Sequence, residues 1–181
     1  MSEESTLGVR NEDKLAPLIG QDFLTWLWYA SEVRQGEMQT SQGEVFTLIM
    51  EQRISVQGGE GESRDTAQSS GPRSQLWEAM QGLKSGKKVN QARMKIEVET
   101  EVWQLQLKAE DFSVSGLKTP KVQTSDQDDD EDPDAAFLEK IYLMERAFEL
   151  VDDLFGQFLR LRMSEEWSEE RRRIRDWIKS L

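Results

Sequence analysis

Two runs near the middle of the chain alternate apolar with polar residues. Met94, Ile96 and Val98 are separated by Lys95 and Glu97, and Trp103, Leu105 and Leu107 by Gln104 and Gln106. Successive side chains of an extended strand point to opposite faces, so this pattern gives each run one buried and one solvated face. The polar stretch Glu99–Glu101 between them reads as a hairpin turn. A chain with such a hairpin must bury one sheet face, and that face needs a second layer of structure. Further strands are expected nearby. "DFSVSGL" suits a third, and "EVFTLIMEQRISVQ" reads as strand, turn, strand over Val45–Ile49 and Ile54–Val56. "GGEGESRDTAQSSG" is loop-like, with an edge strand where Arg64–Gln68 alternates. Strands adjacent in sequence favour a meander.

Helical periodicity supplies the covering layer. Phe23, Trp26, Leu27 and Ala30 fall at i, i+3, i+4 and i+7, and Leu24 and Trp28 widen that stripe beyond half the girth. Asp22 suits the N-cap of a helix ending near Val33. This apolar stretch is too short to span a bilayer and carries neither the basic flank nor the cleavage site of a signal peptide. A second helix begins near Pro72, with Leu76, Trp77, Met80 and Leu83 inward, and ends at "KSGKK". Two more close the chain. Over Ala135–Arg162, Leu138, Ile141, Met144, Ala147, Phe148, Val151, Phe155 and Phe158 trace a long stripe. Ser164 suits the cap of the last helix, in which Trp167, Ile174, Trp177 and Leu181 recur at heptad-like spacing.

The expected fold is therefore α+β: an antiparallel sheet of four or five strands, two packed helices and a C-terminal helical hairpin. Residues 1–20 read as a flexible arm, 21–117 as the α+β region, 118–134 as an acidic linker and 135–181 as the hairpin, packed on the same domain. Residues 118–134 hold seven acids against two bases, a large part of the net charge of −12. They lack the alternating ligands, mid-loop Gly and closing Glu of a calcium loop, so a solvated linker is the plain reading.

Composition removes much familiar chemistry. Without a single histidine or cysteine, the chain has no thiolate metal site, no disulfide and no Ser-His or Cys-His nucleophile. The adjacent acids Asp152–Asp153 and Glu165–Glu166 point about 100° apart on a helix and cannot share one proton or metal. No catalytic, metal or cofactor residue is expected. With neither export signal nor disulfide, the expected location is cytoplasmic, associated with the nucleoid if the chain binds DNA.

"GLKSGKK" resembles a phosphate loop only in part. Three residues stand between the glycines rather than four, and Lys88 stands where a hydroxyl residue belongs. A helix ending in glycine with a basic last turn explains the same letters. The run Lys84, Lys87, Lys88, Arg93 and Lys95 is the one cluster offered to nucleic-acid phosphates, although an ordinary solvated rim accounts for it as well. "RRRIR" is offset by Glu165, Glu166, Glu169 and Glu170, with Glu169 and Arg173 at the i,i+4 spacing of a helical pair.

Taken in order, "LIGQDFLTWLWYASE", a helix ending "LKSGK", "VWQLQLKAEDFSVSGLKTP" and "LMERAFELVDDLFGQFLRLRMSEEW" resemble the second half of the RdgC family of bacterial recombination-associated proteins. The resemblance covers about residues 18–178 and includes no catalytic motif. It implies a non-enzymatic protein that binds duplex DNA as a ring-shaped homodimer and restrains strand exchange by recombination proteins. Three readings follow: a DNA-associated factor modulating recombination, an interaction or assembly subunit without DNA affinity, and, least supported, a metal-dependent nuclease.

Overall fold

The computed structural model describes residues 7–58, 65–70, 76–121 and 133–181. In chain order these form α1 (Leu7–Val33), β1 (Glu37–Gln39), β2 (Val45–Gly58), β3 (Asp65–Ser70), α2 (Trp77–Lys84), β4 (Lys88–Val98), β5 (Glu101–Lys108), β6 (Val114–Lys118), α3 (Pro133–Arg162) and α4 (Trp167–Ser180). The fold is α+β, with an antiparallel sheet and a C-terminal helical pair.

The central hairpin follows the alternation. Met94 pairs with Leu105 and Ile96 with Trp103, all four buried on one face. The turn is the two residues Glu99 and Thr100, with Glu99 in the left-handed region at φ +52°. Among the described residues six strands are present rather than four or five, in the order β1-β2-β4-β5-β6, with β3 also pairing β2. The expected strand-turn-strand at Val45–Val56 is one long strand. Between the pairs Met50↔Met94 and Ile54↔Ala92, β2 advances four residues while β4 advances two. The polar Glu51–Arg53 segment thus forms an irregularity within a continuous strand, which bends and twists it without ending it. β1 and β3 share the other edge of β2, near its opposite ends.

The helix α1 starts at Leu7, well before Asp22, so residues 7–20 of the expected arm are helical and Asp22 is not a cap. Every residue from Phe23 to Ser31 is buried. Such a segment needs neighbours all round. On the sheet side, Gly20 meets the end of β5 so closely that a Cβ there would sit 1.9 Å from the Ala109 carbonyl oxygen. The Thr25 hydroxyl accepts from the Val89 amide at 3.1 Å and donates to the Gln21 carbonyl at 2.7 Å. On the other side, Phe23 meets Phe155 edge-on and Phe158 at a tilt, with centroids 5.2 and 5.5 Å apart. Trp28 and Tyr29 both meet Trp177 edge-on. The crowded aromatic stretch is therefore a central helix between the sheet and the C-terminal pair.

In α2, Leu76, Ala79 and Leu83 are buried and Met80 is half-buried, but Trp77 is 63% exposed. Close approach of Gly82 to Val56 turns the Ala79–Gly82–Leu83 side inward and leaves Trp77 outside. Pro72 lies outside the described residues. Ser164 does not cap α4, because its hydroxyl donates to the Leu161 carbonyl at the end of α3 instead. The Glu169–Arg173 pair is formed at 3.2 Å.

Candidate functional site

The five cations offered to phosphate do not converge. Arg93 and Lys95 alternate with the buried Ala92, Met94 and Ile96, so they project from the open face of the sheet. Lys88 reaches the opposite layer, where its ammonium pairs with Asp22 of α1 at 2.5 Å. Along an extended strand, seven residues separate Lys88 from Lys95 by roughly 23 Å. Lys84 is exposed in the last turn of α2, and Lys87 is half-buried beside Gly58 and Gly82.

Among the described residues, at least three of the five also meet carboxylates. The Glu51 carboxylate accepts from Arg93 Nε at 2.9 Å and from Gln104 Nε2 at 3.0 Å, closing a small network on the open face. Lys95 pairs with Glu97 on its own strand. Asp22 accepts from both Lys88 and Arg162, and the Arg162 guanidinium lies 5.6 Å over the Trp167 ring. One carboxylate of α1 thereby ties β4 to the end of α3. Proximity in sequence missed this, because a strand sends alternate residues to opposite faces and pairs each with its own neighbours.

The helix α3 has three distinct sides. At 100° per residue, Arg146, Asp153 and Gln157 share one of them. Arg146 pairs with Glu44, Gln157 Nε2 donates to the Gln39 carbonyl at 2.8 Å, and Asp153 accepts from the backbone N–H and hydroxyl of Ser41. Burial pushes the Asp153 carboxyl up. The Ser41 hydroxyl, the Gln157 amide and the Ser41 N–H outweigh it, with help from Arg160, and hold it below the ordinary carboxylate range. Asp152 is exposed, so the adjacent pair is split as helix geometry requires.

The second side is the core seam: Leu143, Ala147, Leu150, Val151, Leu154 and Phe158 are buried. It starts at Leu143, whose carbonyl accepts the Trp103 indole N–H at 2.8 Å. The third side carries Phe137, Ile141, Met144, Phe148 and Phe155. Phe155 packs on Phe23 and on Phe112, at 5.2 and 4.7 Å between centroids. Above it the same side is bare. Phe137 is 63% exposed, and Met144 and Phe148 are exposed too; round the helix from that side, Leu138 (63%) and Tyr142 (61%) also stand in solvent. Leu138, Met144 and Phe148, expected in the core, thus stand in solvent, while Leu143, Leu150 and Leu154 take the buried positions. The missed signal was that apolar residues cover two adjoining sides of this helix, more than one core contact requires.

Among the described residues, no group of three or more Asp and Glu side chains is arranged to hold a metal ion, and no helix is long and apolar enough to cross a membrane. No family model matches the chain, and no curated protein or solved structure shows significant similarity to it.

Proposed function

We propose that this chain is a non-enzymatic, RdgC-like factor associated with DNA recombination, which acts through a protein partner rather than through a duplex-binding patch of its own. The ordered sequence blocks support the family part of the reading. The partner part rests on one observation: Lys88, Arg93 and Lys95 are each held by a carboxylate, and they lie on two different faces. Phosphate binding draws its free energy from cations that release counterions on contact. A cation already neutralised by Asp22, Glu51 or Glu97 must first give up that partner.

A second reading keeps direct DNA contact through Lys84, Lys87, Lys88, Arg93 and Lys95. In its favour, Arg93 and Lys95 share one open sheet face and Lys84 is exposed. A salt titration with labelled duplex separates the two. The protein-partner reading expects no duplex binding near physiological salt. The DNA reading expects about three phosphates to be neutralised and log affinity to fall with a slope near −2.7 against log salt, at about −0.9 per contact. Lys84→Glu combined with Lys95→Glu should then flatten that slope for every duplex sequence alike, since phosphate contacts carry no base information. These two side chains are chosen because Lys88→Glu would break the pair that ties β4 to α1, whereas the Lys95 pair with Glu97 lies within one strand.

A further inference from the structure

The first turns of α3 present an apolar helix surface with no core behind it among the described residues. From Asp134 to Tyr142 no residue is buried, and the first buried position is Leu143. These nine residues extend the helix by roughly 14 Å at 1.5 Å per residue. Polar side chains would suit a helix projecting into water, yet this one carries Phe137, Leu138, Ile141 and Tyr142. A contiguous exposed apolar patch of this kind marks a surface that another molecule covers.

Charge says what kind of molecule. Along one edge of the side holding Phe137, Ile141 and Phe148, helix geometry puts Asp134, Glu145 and Asp152. Lys140 stands alone at the opposite edge, about 60° from Phe137, and Arg146 is engaged with Glu44 and Glu149. In sequence, α3 is preceded by a run in which Asp126 and Asp128–Asp132 include no base. The patch is therefore apolar with an acidic border. A second copy would bring acid against acid, and an anionic lipid surface would be repelled.

We infer that this side of α3 docks a cationic amphipathic helix of a partner protein, whose apolar stripe covers Phe137, Ile141 and Phe148 while its Lys and Arg residues face Glu145 and Asp152. The inference rests on the protein-partner reading above and names the partner's chemistry. The recognition mode is a helix laid along an apolar surface, with anchors spaced at i, i+3, i+4 and i+7. Its acidic border steers the approach and makes the affinity salt-dependent.

The test uses the full chain and a labelled leucine–lysine peptide of ~18 residues, five helical turns, beside a scrambled peptide of the same composition. Fluorescence anisotropy should show the amphipathic peptide binding at least about tenfold more tightly than the scrambled one. The Phe137→Ser, Phe148→Ser double variant should lose at least about tenfold, the size expected when central anchors are removed. Its melting temperature should hold, because both side chains are exposed. Glu145→Lys with Asp152→Lys should weaken binding and reduce its salt dependence. Equal binding of both peptides, or no effect of the double variant, overturns the inference. So does a wild-type dimer in sedimentation that the double variant converts to monomer, because the occupant would then be a second copy. If the peptide fails and duplex does not bind, the docking face falls and the protein-partner reading stands. Duplex binding with a slope near −2.7 overturns that reading, while anisotropy still judges the face.

Discussion

In the C-terminal half of α3, Leu150, Leu154 and Phe158 belong to the buried core, and Phe155 stacks among rings from α1 and the loop after β5. In the N-terminal half of the same helix, Phe137, Leu138 and Tyr142 stand in solvent. The two halves are similar in composition and differ in their neighbours. Phe23 and Trp26 of α1 cover the lower half. The β1–β2 hairpin fastens it through Gln157 and Asp153, and reaches up the helix only as far as Arg146. Above the Trp103–Leu143 bond the helix leaves the sheet behind. An amphipathic stripe thus states which residues can be buried, and tertiary partners decide which of them are.

This contrast breaks most visibly at Phe158, which touches Phe23, Trp26 and Trp167. Phe158→Ala should cost about 3–5 kcal/mol, the usual range for deleting a buried aromatic ring, read as a lower urea midpoint. A loss below about 1 kcal/mol would mean that the lower half is not core. Next is the boundary. Trp103→Phe removes the buried N–H that bonds the Leu143 carbonyl, which keeps its helical partner, and should cost about 0.5–1.5 kcal/mol for that bond in the same assay.

Asp153 gives a pH-dependent test of the hairpin attachment. Its carboxyl lies below the ordinary range in the folded chain, so the unfolded chain binds its proton more readily. The stability it contributes is present above the unfolded value of about 3.9 and is lost as pH falls through the folded value. Asp153→Asn should therefore be less stable than wild type at pH 7, and the gap should narrow as pH is lowered toward about 3. A gap that stays constant with pH would detach Asp153 from this role. The smallest effect belongs to the bare half: Phe137→Ser should change stability by no more than about 0.5 kcal/mol, as exposed substitutions do.

Much of the sheet and of α1 could be read from the letters, because in both the burial is dictated by local pattern. Strict alternation at Met94–Leu107 admits only one register of the hairpin, since a slip of one residue would turn every apolar side chain outward. The density of apolar residues from Phe23 to Ala30 requires burial on every side. Where pattern permits more than one outcome, the reading failed. Glu51–Arg53 looked like a turn because polar residues suit both a turn and an irregularity in a strand. Asp22 looked like a cap because an acid near the start of an apolar run usually is one; Lys88 and Arg162, distant in sequence, give it another task. In α3, two sides were apolar, and the sequence could not say which would meet α1. The basic run had the same difficulty: its charges were visible, but Glu51, Glu97 and Asp22 became visible as their partners only through strand pairing and helix packing.

Amide hydrogen exchange along α3 tests the central contrast most directly, because each amide reports the free energy needed to open its own hydrogen bond. Amides from about Leu150 to Leu159 should exchange only through global unfolding. Those from about Leu138 to Tyr142 should exchange orders of magnitude faster through local fraying, since none of these residues is buried. Adding the cationic amphipathic peptide should slow the fast set and leave the slow set unchanged. Uniform protection along the whole helix in the free chain would contradict the division of α3 into a core half and a bare half.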